Sequence, residues 1–260
     1  MKNLDLAGKV SIITGAAQGI GKSIAESLGQ NGSSIALIDI NEQEGLKLRD
    51  LIRGKSQIQC EFYKCNVSNF NEVQKVCLEI LKEFKKVDNL ILNAGLSLWE
   101  NIEDLNIETW NKIIDVNLNG AFYFILYLLD TMILQKKGNV ILIASVSTIT
   151  GSGGGLAYPA SKSGVLGIAK GICYQCLKYG IRANVISPGA IDTPLLRKKY
   201  PLSKEGDSIL ADQVPLGRVG TPEDIANTAL FLASDLSNFI CGQEIIVDGG
   251  RALYSHAKGA

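Results

Sequence analysis

Short runs of β-branched and aliphatic residues alternate along this chain with longer stretches whose apolar positions recur at helical spacing. The apolar runs lie in KVSIITG, SSIALID, IQCEFYK, VDNLILNAG, GNVILIAS, IRANVIS and QEIIVDGG. Each predicts a short strand buried on both faces. Between them the pattern predicts helices ending near Asn31 and Gly54, then helices over about 69–84, 106–136, 158–179 and 221–234. Strands separated by helices imply right-handed crossovers and a parallel sheet covered on both sides. The expected fold class is α/β, a doubly wound sheet in a single domain over residues 1–260.

Two stretches interrupt the rhythm: the glycine-rich TGSGGG at 150–155 and the polar RKKYPLSKEGDS at 197–208. The second reads as an irregular insertion, and a segment over about 190–215 is expected to act as a lid over a ligand site. The 26 basic and 26 acidic residues cancel and are scattered, so no basic face points to nucleic acid or an anionic membrane. A small-molecule partner fits better. The start, MKNLDLAGKVSIITG, is a poor signal peptide. The longest apolar run, Ala121 to Leu129, stops at Asp130, short of the roughly 18 residues of a membrane span; it reads as a buried helix or an oligomer contact. Six scattered cysteines fit reduced thiols in the cytoplasm. Cys173 and Cys176 have metal-like spacing but no second pair, so no metal is expected.

The motif TGAAQGIG, Thr14 to Gly21, follows the first strand and opens the first helix. Gly15, Gly19 and Gly21 would let the backbone approach a diphosphate that the helix N-terminus stabilises, with Gln18 and Ile20 in the same loop. Asp39 ends the second strand, where a carboxylate can accept hydrogen bonds from the adenosine ribose and repel a 2′-phosphate. No lysine or arginine lies between Gly15 and Gly21, or at positions 40 and 41. NAD is therefore expected rather than NADP, although Asp39 could instead cap the next helix.

Tyrosine precedes lysine by four residues at Tyr158/Lys162, Tyr174/Lys178 and Tyr200/Lys204, and each tyrosine has a serine 13 residues upstream: Ser145, Ser161 and Ser187. Ser161 and Tyr174 share one helix and lie roughly 20 Å apart at 1.5 Å per residue, so they cannot share a substrate. Ser187 and Tyr200 could meet. Ligands of doubly wound sheets bind over the carboxyl ends near the switch point between strands one and four, and the fifth strand, carrying Ser145, is the nearer. Topology favours Tyr158 and leaves Tyr200 as the rival. A phenol with an ordinary pKa of about 10 exchanges protons poorly near neutrality. Lys162 falls one helical turn away, and a unit charge about 5 Å off at an effective dielectric of 20 is worth roughly 3 kcal/mol. Tyr158 is thus expected to be acidified by Lys162.

With G-x3-G-x-G in the first loop, LNAG at 92–95, Ser145 and Tyr158-x3-Lys162, the chain resembles the short-chain dehydrogenase/reductase family over nearly its whole length. Asn117 in DVNLNG, SPGAIDTP at 187–194 and the terminal GQEIIVDGG also resemble that family. The resemblance implies a Rossmann-type sheet of order 3-2-1-4-5-6-7 and a catalytic set of Asn117, Ser145, Tyr158 and Lys162. Tyr158 would exchange the proton, Ser145 would bind the substrate oxygen, Lys162 would hold the nicotinamide ribose, and Asn117 would support a water leading to Lys162. It further implies that Asn93, Ala94 and Gly95 line the adenosine side, and that Ile191 and Thr193 contact the carboxamide. Asn66, with Val67 beside it, stands where an aspartate usually meets adenine, and Leu92 stands where an asparagine is frequent. The family usually forms tetramers through the helices that here begin near Asn106 and Tyr158, so a homotetramer is expected.

Ser97, Trp99, Ser147, Gly154, Leu195 and Leu196 flank the expected substrate position. Their mixture of hydroxyls and apolar groups fits a compact polyol, sugar or hydroxy acid oxidised by NAD. A 3-oxoacyl thioester reductase stays open as an alternative, with Arg197, Lys198 and Lys199 as a basic rim for an acyl carrier. A nucleotide-binding regulator without turnover is a further one. The sole histidine, His256, is expected to be a solvated tail residue.

Overall fold

All seven apolar runs form strands: β1 (Val10–Thr14), β2 (Ser34–Asp39), β3 (Cys60–Lys64), β4 (Asn89–Leu92), β5 (Gly138–Ile143), β6 (Ile181–Pro188) and β7 (Glu244–Val247). They pair in parallel in the order β3-β2-β1-β4-β5-β6-β7. The chain is seen in a computed structural model that describes residues 4–99, 101–201 and 203–253, with the backbone alone for 204–207. His256 lies outside the described residues.

Neighbouring strand residues serve opposite faces, as a doubly covered sheet requires. On β5, Val140 and Leu142 join a core with α3 (Phe70–Phe84), α5 (Gly120–Gln135) and α7 (Ala157–Cys176). Ile141 and Ile143 join the opposite core with α1 (Gly19–Gln30), α2 (Glu42–Lys55) and α10 (Pro222–Ala233). At the N-terminal edge of the sheet, Ser33, Ser11, Asn89 and Asn139 form a buried hydrogen-bonded row across β1, β4 and β5. Such a row fixes register, because a slip would strand every member without a partner.

Two expectations need correction. The helix over 106–136 is not uniform: α4 (Ile107–Ile114) passes through a π-helical turn, Asp115–Asn119, into α5. Because the run is continuous from Ile107 to Gln135, by length and composition it is long and apolar enough to cross a membrane, contrary to the limit set by Ala121–Leu129. In this fold its inner residues Phe124, Leu128 and Met132 pack in the core. The 197–208 stretch is irregular only in its middle, between two helices. Thr193 caps a short helix, α8 (Pro194–Arg197), with Pro194 in its first turn, and α9 (Lys204–Asp212) follows. Among the described side chains of α9, Leu210 is the buried one that anchors it, too sparse a signal for periodicity to detect. The remaining short helix is α6 (Ser147–Thr150).

Candidate active site

A cleft of about 600 Å³ opens over the carboxyl ends of the central strands. Its floor is the glycine loop after β1, lined by Gly15, Gln18, Gly19 and Ile20. Gly15 has φ +63°, and a Cβ there would sit 2.8 Å from Ala94 Cα. Gly21 lies behind the loop, where a Cβ would collide with the Gly15 carbonyl. The loop is stitched to the segment after β4: Thr14 Oγ1 accepts from the N–H groups of Asn93 and Ala94 at 3.0 Å each, and Asn93 Nδ2 donates to the Thr14 and Gly15 carbonyls at 3.0 Å. Sequence reading did not single out Thr14, whose partners lie some 80 residues away.

No side chain caps α1 at Gln18, and no acidic residue occupies its first turn. An uncapped helix start on a Cβ-free turn leaves N–H groups and positive dipole facing the cleft, which fits the diphosphate of a dinucleotide. Further along, Asp39 lines the cleft with Oδ2 accepting from Ala17 N and Oδ1 from Asn41 N, both at 2.9 Å. Asn41, not Asp39, caps α2 by accepting from Glu44 N. Asn66, Val67, Ala94 and Gly95 also line the cleft. Asn66 Oδ1 already accepts from both Ser68 N and Ser68 Oγ, and Leu92 is buried in the core. On the facing side Ile191 bridges to Gly220, and Thr193 Cγ2 would be 3.3 Å from a Cβ on Gly19. The segment after β6 therefore packs over the glycine loop.

The structure separates the competing tyrosines. Tyr174 is 92% exposed on the outer face of α7, while Ser161 is buried and hydrogen-bonds Asn117. Tyr200 does line the cleft, but its serine does not: Ser187 is buried and donates to Glu244 Oε1 at 2.5 Å. Tyr158 and Ser145 both line the cleft, and Ser145 Oγ accepts from Ser147 N at 3.1 Å. Lys162 lies 4% exposed with Nζ donating to the Ile143 carbonyl at 2.9 Å and 5.9 Å from the centre of the Tyr158 ring.

Charge at this point differs from expectation. Burial raises the Tyr158 pKa, offset in part by the Ser145 hydroxyl. Burial also pushes the Lys162 ammonium down to about 8. Desolvation opposes both charged forms, and Lys162 faces a backbone carbonyl, so the protein chain alone does not acidify the phenol.

Asn117 sits in the π-helical turn, where such turns frequently mark functional positions. Its Oδ1 accepts from Leu96 N at 2.8 Å, and its Nδ2 donates to Leu96 O and Ser161 Oγ at 3.0 Å each. It thus ties the loop after β4 to α7, one residue before Lys162. Of the residues expected near substrate, Ser97, Trp99, Ser147, Leu195 and Leu196 line the cleft and Gly154 does not. Ser97 Oγ is committed to Gly153 O at 2.8 Å, and a Cβ on Gly154 would strike Ser97 Oγ. Ser147 is 2% exposed, and its Oγ has no protein partner. The basic run disperses: Arg197 makes a two-pronged pair with Asp192, whereas Lys199 Nζ lies 3.9 Å from the centre of the Trp99 ring. Lys199 of the expected basic rim and the rival Tyr200 also line the cleft, as does Arg251, which nothing in its local spacing marks.

Residues 15–252 match the profile of a family described as Enoyl-(Acyl carrier protein) reductase. The chain belongs to the short-chain dehydrogenase/reductase family. It is 34% identical over 250 residues to the 3-oxoacyl-[acyl-carrier-protein] reductase of Thermotoga maritima, covering 95% of this chain and 99% of that one. It is 32% identical to an NAD-dependent glycerol dehydrogenase of Listeria innocua, covering 97% of each. Among solved structures, a 7α-hydroxysteroid dehydrogenase complexed with NADH and 7-oxo glycochenodeoxycholic acid superposes with a TM-score of 0.90 at 29% identity, over 96% of each chain. As a short-chain dehydrogenase/reductase, the protein is an oxidoreductase acting on CH–OH groups with a nicotinamide cofactor.

Proposed function

We propose that this oxidoreductase uses NAD to interconvert a secondary alcohol and a ketone on a small polyol, sugar or hydroxy acid. The observation that carries the NAD assignment is Asp39, a carboxylate held in the cleft by two backbone N–H groups with no cation on either neighbouring residue. A 2′-phosphate there would meet like charge. The glycine loop, Gln18 and Ile20 would hold the diphosphate, Asp39 the ribose, Asn66 and Val67 the adenine, and Asn93, Ala94 and Gly95 the floor. Ile191 and Thr193 would hold the carboxamide, and Lys162 the second ribose.

The bound nicotinamide supplies the hydride exchange. Tyr158 accepts the alcohol proton in oxidation and returns it in reduction, and Ser145 hydrogen-bonds the substrate oxygen. Lys162 would stand beside that phenol while holding the nicotinamide ribose, the oxidised ring supplying the positive charge that favours the tyrosinate, and Asn117 fixes the loop and helix between which this set is held. Ser147, buried without a partner, is placed to receive a further substrate hydroxyl. Leu195, Leu196 and Trp99 would close the apolar side, with the helical segment over about 190–215 as the lid.

Initial rates with both cofactors test the reading across polyols, sugars, hydroxy acids and 3-oxoacyl thioesters. NAD-linked oxidation of one of the first three is expected. Asp39→Asn should lower the NAD to NADP ratio of kcat/KM roughly tenfold, the scale of one charge-assisted contact. Faster NADPH-linked thioester reduction by the wild type would instead favour the second reading, which rests on the similarity to the Thermotoga maritima reductase. Against that reading stands the dispersal of the basic run, since Arg197 is paired and Lys199 turns into the cleft.

We also propose a cytoplasmic homotetramer. The outer faces of α5 and α7 expose Leu134 at 84%, Phe122 at 48% and Tyr174 at 92%, apolar surface that neighbouring subunits would cover. All six cysteines are free, which suits a reducing compartment. Sedimentation equilibrium should give four chains per particle, and a stable monomer at micromolar concentration would refute the assembly.

A further inference from the structure

Charge in the cleft is unevenly placed. Its lining carries the cations Lys112, Lys162, Lys199 and Arg251 and a single carboxylate, Asp39. Asp39 ends β2, whereas Arg251 follows β7 at the opposite edge of the sheet. The step from β1 to β7 crosses four strand spacings, roughly 19 Å at about 4.8 Å each. Arg251 is therefore remote from both the glycine loop and the ribose carboxylate.

The described carboxylates near this end are already engaged. Asp192 accepts from Arg197 at 2.7 and 2.9 Å, and Asp224 from Arg218 at 2.7 and 2.8 Å. Asp248 accepts from the backbone N–H groups of Gly250 and Ala252 at 2.8 and 2.6 Å, which builds the turn that presents Arg251. The Arg251 guanidinium donates to the neutral amide oxygen of Gln213 at 2.7 Å. Lys199 rests on the Trp99 ring, a partner that a carboxylate can displace. Among the described residues neither cation has a carboxylate partner.

Both cations line the same cleft as Tyr158 and Ser145, and Lys199 is tied toward the reacting end through Trp99. Ser97, two residues before Trp99, donates to the Gly153 carbonyl, and a Cβ on Gly153 would lie 3.3 Å from the Tyr158 ring. We propose that the substrate is a small hydroxy acid whose carboxylate is held by Lys199 and Arg251 while its carbinol faces Tyr158 and Ser145. This rests on the dehydrogenase reading above and narrows it: a neutral polyol carries nothing for the two cations to bind, and an acyl thioester carries its phosphate at the far end of a long arm rather than beside the reacting carbon.

Matched pairs that differ in the carboxylate decide the point: gluconate against sorbitol, and 3-hydroxybutyrate against 1,3-butanediol, each with NAD. The acids should be oxidised with at least about tenfold higher kcat/KM, and Lys199→Gln and Arg251→Gln should each raise the KM of the acid roughly tenfold with kcat and the NAD dissociation constant unchanged. Equal use of acids and neutral partners would overturn the proposal. So would variants that weaken NAD while sparing the acid, because the cations would then serve the cofactor. Calorimetric titration of the NADH complex with gluconate and 3-hydroxybutyrate, a pairing in which no hydride can move, gives a readout free of turnover. Binding lost in both variants supports the proposal, and no binding of either acid by the wild type overturns it. Carboxylate binding without any NAD-linked oxidation would strike the dehydrogenase reading and leave the anion site standing.

Discussion

Tyr158→Phe should lower kcat by roughly 10²- to 10⁴-fold, the range by which a positioned proton donor and acceptor accelerates a reaction. The dissociation constant for NAD should not change, because the aromatic ring that packs beside Gly153 is retained and only the hydroxyl facing Ser145 is removed. Stopped-flow hydride transfer and fluorescence titration with NADH measure the two quantities separately. Tyr200→Phe should keep kcat, since its upstream serine, Ser187, is turned to Glu244 and absent from the cleft. Normal turnover in the first variant and loss in the second would reassign the proton to Tyr200.

The other large effect concerns Lys162. Its ammonium is buried and its pKa falls from an ordinary 10.5 to about 8. Below pH 8 the folded and unfolded chains both carry the charge, and the fold bears the full cost of burying it, about 3 kcal/mol. Between pH 8 and 10.5 the unfolded chain still holds a proton that the folded one has released. Stability from this residue must therefore rise with pH across that window. Comparing Tyr158→Phe with Tyr158→Phe/Lys162→Met by urea unfolding at a series of pH values isolates the contribution, because the neighbouring phenol is absent from both. The single-variant protein should gain about 3 kcal/mol relative to the double variant between pH 8 and 10.5. A flat difference would mean that the ammonium is well solvated. Lys162→Met alone should also lose turnover, for want of the ammonium that would hold the nicotinamide ribose beside Tyr158.

The strands were legible because each is a continuous apolar run bounded by turn residues, and burial on both faces demands such a run. The same holds for α7, whose spacing puts Tyr158 and Lys162 on one face. Cross-chain relations were not legible. Nothing in TGAAQGIG announces that Thr14 accepts from Asn93 and Ala94, and nothing around Lys199 announces the ring of Trp99. The π-helical turn at Asn117 escapes because one extra residue in a turn barely disturbs an apolar period. The charge states were misjudged for a related reason: spacing gives the distance from Lys162 to Tyr158 but not the depth at which both lie, and depth governs their titration.

Asp39 links two properties that a protein engineer would prefer to vary independently. Its oxygens hold the N–H groups of Ala17, inside the glycine loop, and Asn41, at the start of α2. Any neutral or basic replacement meant to admit a phosphorylated ribose also releases one or both of those tethers. The loop that must grip the diphosphate then loosens, whichever nucleotide is supplied. Retargeting this protein to the other nicotinamide coenzyme is consequently a two-part redesign: a new anion receptor near position 40, together with a substitute anchor for the turn at Ala17.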